Sequence, residues 1–128
     1  MDLLLDTHAF LWWIAGDPAL SLPARTAIED SANYVVVSAA SAWEIATKIR
    51  IGKLPGAAAI AADIMGVVTA QGFGRLPISF AHGQAAGALP GPHKDPFGRM
   101  LVAQAMLEGI VLVSNERNFD AYGVRRLW

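Results

Sequence analysis

Three short apolar runs limit what this chain can fold into. They are "LLL" at 3–5, "YVVVS" at 34–38 and "IVLVS" at 110–114, and the last two are rich in β-branched residues. Each reads as a buried strand, and each stops at polar residues: Asp6, Ser38 and the run Ser114-Asn115-Glu116. Between them the apolar spacing turns helical. Thr7–Ala15 predicts a helix stopped by "GDP", and Ser21 caps a second through about Ser31, with Pro23 tolerated in its first turn. "SAWEIATKIRIGKL", from Ser41, is amphipathic, with Trp43, Ile45, Ile49 and Ile51 on its apolar sides. An Ala-rich helix is expected from about Ala57 to Gln71, a short strand at "RLPIS" and a helix from Phe80 to Leu89. "PGPH" predicts a turn, Asp95 opens a helix reaching Glu108 with Gly109 as its stop, and "GVRRLW" predicts a short final strand. Alternation of this kind implies a mostly parallel sheet covered by helices on both faces. Ligands of such sheets bind beyond the carboxyl ends of the strands.

The 128 residues suffice for one domain, expected to span 1–128. Hydrophobic residues make up 54% and charged ones 16%, an apolar excess that either a partner-covered surface or a doubly covered sheet explains. Charges interrupt every apolar stretch before it reaches the length of a membrane span. The opening residues lack a basic leader region and carry Asp2 and Asp6, so a cytoplasmic location without membrane association is expected. With no cysteine there are neither disulfides nor thiolate metal sites. Net charge is −1, which excludes a broadly basic nucleic-acid binder. The basic residues are uneven, however: Lys48, Arg50 and Lys53 cluster, Lys94 and Arg99 flank Asp95, and Arg117, Arg125 and Arg126 fall late.

Four acids occupy the positions from which a crevice at the strand ends can be reached. Asp6 leaves the first strand, Glu44 lies early in the helix after the second, Asp95 opens a late helix, and Glu116 follows the late strand. Carboxylates that converge repel one another unless they are protonated or share a cation. An all-oxygen donor set suits Mg²⁺ or Mn²⁺, which activate water and polarise phosphodiesters. On this reading Asp6, Glu44 and Asp95 stand within a few ångströms of one another. Plainer roles are open to each: Asp6 and Asp95 as N-caps, Glu44 as the i,i+4 partner of Lys48, and Glu116 as a loop charge. His8, His82 and His93 are expected to be structural, and Trp12, Trp13 and Trp43 to sit in core or interface.

Together these segments resemble the PIN-domain family, specifically VapC-type toxins of toxin–antitoxin pairs. "LLLDTHAFLWW", "VSAASAWEIATKIRIGKL" and "HKDPFGRMLVAQAMLEGIVLVSNERNFDAYGVRRLW" carry the likeness, in the family's order and spacing, over nearly the whole chain. The resemblance implies a PIN-like three-layer α/β/α fold with a central, mostly parallel sheet. It also implies a ribonuclease that uses Mg²⁺ or Mn²⁺, an antitoxin partner and a homodimer. Asp6, Glu44 and Asp95 carry over as catalytic and metal-binding acids, and Glu116 as a further metal ligand. Lys48, Arg99 and Arg117 flank the acids and are expected to contact RNA phosphates.

The chain departs from the family at Gly98. Relatives with a similar closing third usually read Asp-Pro-Phe-Asp-Arg, whereas this sequence reads Asp-Pro-Phe-Gly-Arg. Either Asp95 alone supplies the third carboxylate or this copy has lost a ligand and is weakened. The second reading is favoured because an N-cap side chain folds back onto its own helix, and because glycine costs that helix about 0.5–1 kcal/mol relative to alanine. The rival function is a catalytically silent module that docks an antitoxin or RNA. A phosphoacceptor receiver or phosphatase fits less well, since no second acid stands two residues after Asp6 and no late strand ends in lysine.

Overall fold

A computed structural model describes residues 1–91 and 94–128; His93 and part of the expected "PGPH" turn lie outside the described residues. In chain order the elements are β1 (Asp2–Leu5), α1 (Thr7–Ala15), α2 (Leu22–Glu29), β2 (Tyr34–Ser38), α3 (Ala39–Arg50), α4 (Ala58–Ala62) and α5 (Ile64–Ala70). They continue with β3 (Gly74–Leu76), α6 (Phe80–Ala88), α7 (Pro96–Glu108), β4 (Val111–Val113), a 3₁₀ helix (Arg117–Tyr122) and β5 (Arg126–Leu127). The five strands form one parallel sheet in the order β3-β2-β1-β4-β5.

Strand β1 is central because its three leucines are fully buried and face both ways. Leu3 and Leu5 join Val35, Val37, Val111 and Val113 in one core, packed against α1, α2 and α5 through Phe10, Ala24, Ile28 and Val68. Leu4 joins Val36 and Leu112 in the other, packed against Leu101, Val102 and Ala105 of α7 and Phe119 of the 3₁₀ helix. The period of two along a strand divides the leucines between the cores, so the apolar composition serves two layers of helix. The expected three-layer architecture is the one observed.

Helix α3 starts at Ala39, two residues earlier than expected, because Ser38, the last residue of β2, is its cap: Ser38 Oγ accepts from Ala40 N at 2.9 Å. The same hydroxyl donates to Gln104 Oε1 of α7 at 2.5 Å, and Gln104 Nε2 donates to Pro77 O at 3.2 Å. The expected single helix over 57–71 is instead α4 and α5. Asp63 breaks it at φ −154°, ψ 71°, and its side chain accepts from Gly66 N at 3.0 Å. An aspartate that can cap the following turn competes with continuation even among alanines. His82 is structural as expected: it is buried, its Nδ1 accepts from Ser79 N at 3.0 Å, and its Nε2 faces Glu108 Oε1 at 2.8 Å.

Candidate active site

Strand order reverses direction at β1: β2 and β3 are added on one side, β4 and β5 on the other. The carboxyl ends of β1 and β4 therefore diverge into a crevice. A cavity of about 120 Å³ occupies it, lined by Asp6, Thr7, Glu44, Lys48, Asp95, Gly98 and Glu116 among others. All four expected acids are on its wall. Trp43 of α3 and Phe97 of α7 meet edge to face, ring centres 4.6 Å apart, and the same two helices bring Glu44 and Gly98 to the cavity.

Asp6 is 8% exposed and caps α1, with Oδ1 accepting from Ala9 N at 2.8 Å. Burial pushes its carboxyl above the ordinary range; the Ser114 hydroxyl, the Ala9 N–H and His8 oppose that rise, and the charge of Glu44 adds to it. The charge of Glu44 thus reaches Asp6 across the cavity. Glu44 is 5% exposed, and both of its oxygens are occupied. Thr7 Oγ1 donates to Oε1 at 2.6 Å and lies 3.0 Å from Ser41 Oγ, while Lys48 Nζ meets Oε2 at 2.5 Å.

Asp95 is exposed, and its Oδ1 accepts from Phe97 N at 3.0 Å, the expected fold-back of an N-cap. Glu116 is half-buried, and its backbone N–H donates to Ser114 Oγ at 3.0 Å. Gly98 is buried on the cavity wall and brings no side chain to it. Among the described residues, no three His, Cys, Asp or Glu side chains stand together as a ready metal site. The expected close trio is therefore not assembled. Asp95 is drawn to its own helix, and position 98, one turn further in, has nothing to replace it.

A hydrated divalent cation nevertheless fits. Mg²⁺ keeps several waters and needs only one or two carboxylates, the cavity admits several waters, and the lining acids offer oxygen alone. A larger groove of about 440 Å³, at the ends of β2 and β3, is lined mainly by apolar groups such as Ile64, Met65 and Val68 and has no acid.

The basic residues divide. Lys48 lines the cavity, and Arg117 is exposed in the 3₁₀ helix. Arg99 is not on the wall: its guanidinium donates to Ala86 O at 3.1 Å and to Leu89 O, carbonyls at the end of α6. Sequence reasoning missed Thr7 and Ser41 as supports of Glu44. The available signal was a hydroxyl directly after Asp6 and another one helical turn before Glu44. It also missed Arg126, whose Nη1 donates to Ser114 O at 3.0 Å while Nε and Nη2 grip Asp120 at 2.8 and 3.0 Å. This clamp fixes the segment that carries Asn115 and Glu116.

Comparison with known proteins agrees with this fold. The PIN domain family model matches residues 3–124. VapBC2 of Rickettsia felis, bound to a DNA fragment from its promoter, superposes with a TM-score of 0.71 at 14% identity, covering 98% of this chain and 97% of that one. VapC20 of Mycobacterium tuberculosis, a sarcin–ricin-loop-cleaving toxin, gives 0.68 at 17% identity, with 95% of each chain covered. VapBC-1 of nontypeable Haemophilus influenzae gives 0.67 at 13% identity, covering 98% and 96%. Compared by sequence with curated proteins, the chain has no significant match.

Proposed function

Because the chain belongs to the PIN-domain family, we propose that it is a divalent-metal-dependent ribonuclease, the toxin of a type II toxin–antitoxin pair, and that Gly98 weakens this copy. The observation that carries the reading is the pair of buried carboxylates, Asp6 and Glu44, on one wall of the switch-point cavity. Mg²⁺ or Mn²⁺, when bound, lowers the pKa of a coordinated water and polarises the phosphodiester. Asp6 and Glu44 are the residues to hold it, with Asp95 and Glu116 beside them. The Ala9 N–H and the Ser114 hydroxyl orient Asp6, and Thr7 orients Glu44. In this reading Lys48 and Arg117 meet RNA phosphates, and Arg99 stands off the wall, bonded to the carbonyls of Ala86 and Leu89.

The VapBC complexes with the same fold motivate an antitoxin protein as partner. A homodimer is proposed on the exposed Trp43, Met65 and Phe80, and a cytoplasmic location on the sequence; among the described residues no helix is long and apolar enough to cross a membrane. Gly98 and the unassembled trio favour a second reading, a silent module that docks antitoxin or RNA without cleaving. RNA cleavage with and without Mn²⁺ separates the two. Under the nuclease reading the chain cleaves slowly, Gly98→Asp cleaves faster, and Glu44→Gln abolishes cleavage in both. If neither the parent nor Gly98→Asp cleaves any RNA, the silent module stands.

A further inference from the structure

We propose that Lys48 is a built-in counter-ion that must leave Glu44 before a divalent cation can enter, so that it sets the cation concentration at which the site fills. The proposal rests on the metal reading above. The Glu44 carboxylate is buried, and each of its oxygens is engaged by one partner. Its two partners differ in kind. Thr7, on Oε1, is buried and stiff at χ1, and Ser41 stands against it. Lys48, on Oε2, reaches back one helical turn with a side chain 30% exposed, and its flexible stem lets the ammonium withdraw into solvent. One partner is fixed and the other removable. The removable one lies inside the cavity that holds Asp6, on the oxygen a cation would need.

Ammonium and divalent cation each neutralise Oε2, but not both at once. Loading is then an exchange, and the displaced ammonium stays at the cavity wall, where a phosphate would arrive. The ammonium serves twice, first as the partner of Glu44 Oε2 and then facing substrate.

The test is calorimetric Mn²⁺ binding without RNA, supported by the Mn²⁺-dependent rise in Tm. Lys48→Met should tighten Mn²⁺ binding about tenfold, since a competing buried-pair partner has gone. Lys53→Met removes an equal, exposed charge and should change affinity by less than about twofold. Lys48→Arg, which grips a carboxylate more firmly, should weaken Mn²⁺ binding several-fold, and it carries the test alone if Lys48→Met fails to fold. Equal affinities in Lys48→Met and Lys53→Met, or tighter binding in Lys48→Arg, overturn the counter-ion role while leaving the metal site standing. No Mn²⁺ binding by parent, variants or Gly98→Asp overturns the metal reading and this proposal with it.

Discussion

Asp6 caps a helix and also holds a buried carboxyl whose pKa burial has raised. Such a group binds its proton more tightly folded than unfolded. Stability therefore falls as pH climbs from the ordinary value of 3.8 through the raised one, and the deficit is complete above it. Asp6→Asn keeps the cap and removes the buried charge. In EDTA it should melt above the parent at pH 7 and lose that advantage at pH values below 3.8, while Mn²⁺ should raise the Tm of the parent alone. Gly98→Asp should behave oppositely. Its new carboxylate gains about 0.3–1 kcal/mol from the helix N-terminus but repels Asp6 and Glu44 without metal. Its signature is a larger Mn²⁺-induced rise in Tm, together with faster RNA cleavage. If the parent already cleaves as fast, and Asp95→Asn abolishes that, Asp95 suffices and the glycine is tolerated variation. At this scale the acids were legible because each follows a strand or opens a helix. The job of Arg99 was not, because the carbonyls it binds come from α6, which sequence spacing does not place beside it.

Among the elements, boundaries were read well where a cap is local and poorly where a side chain serves two partners. Gly109, at φ 65°, closes α7 where expected. Ser38, by contrast, ends β2, caps α3 and bonds Gln104 of α7, and only the folded sheet brings the third partner near. Ser38→Ala should cost about 2–4 kcal/mol in chemical denaturation, from the lost cap and the buried Gln104 amide oxygen left without its donor. The Arg126–Asp120 pair ties β5 to the 3₁₀ helix. Arg126 holds the Asp120 carboxyl below its ordinary range, so its contribution is present above pH 3.8 and fades as pH falls through the depressed value. Arg126→Lys loses the two-pronged grip. Amide exchange at Glu116 and Arg117 should accelerate, with the exchange of α1 unchanged.

For the whole molecule, alternation of strand and helix announced the layered fold, and the apolar excess is consumed by two cores. Strand order was not legible, since a crossover can lay the next strand on either side of β1. That order places the site, because it brings Glu116 alongside Asp6. With a net charge of −1, RNA affinity must come from local charge. Binding of a non-cleavable RNA should weaken as salt rises, and removing both Lys48 and Arg117 should flatten the slope of log affinity against log salt by about two. An unchanged slope would move the RNA path elsewhere.

The switch-point topology also has a consequence in time. As the ribosome extends the chain, β1 is made well before β4, the 3₁₀ helix and the Arg126 clamp. Asn115, Glu116 and Phe119 are missing from the cavity wall until then. Until that segment is made the chain carries Asp6 and Glu44 but no enclosed site, so a toxic activity housed here would stay silent up to that point of synthesis.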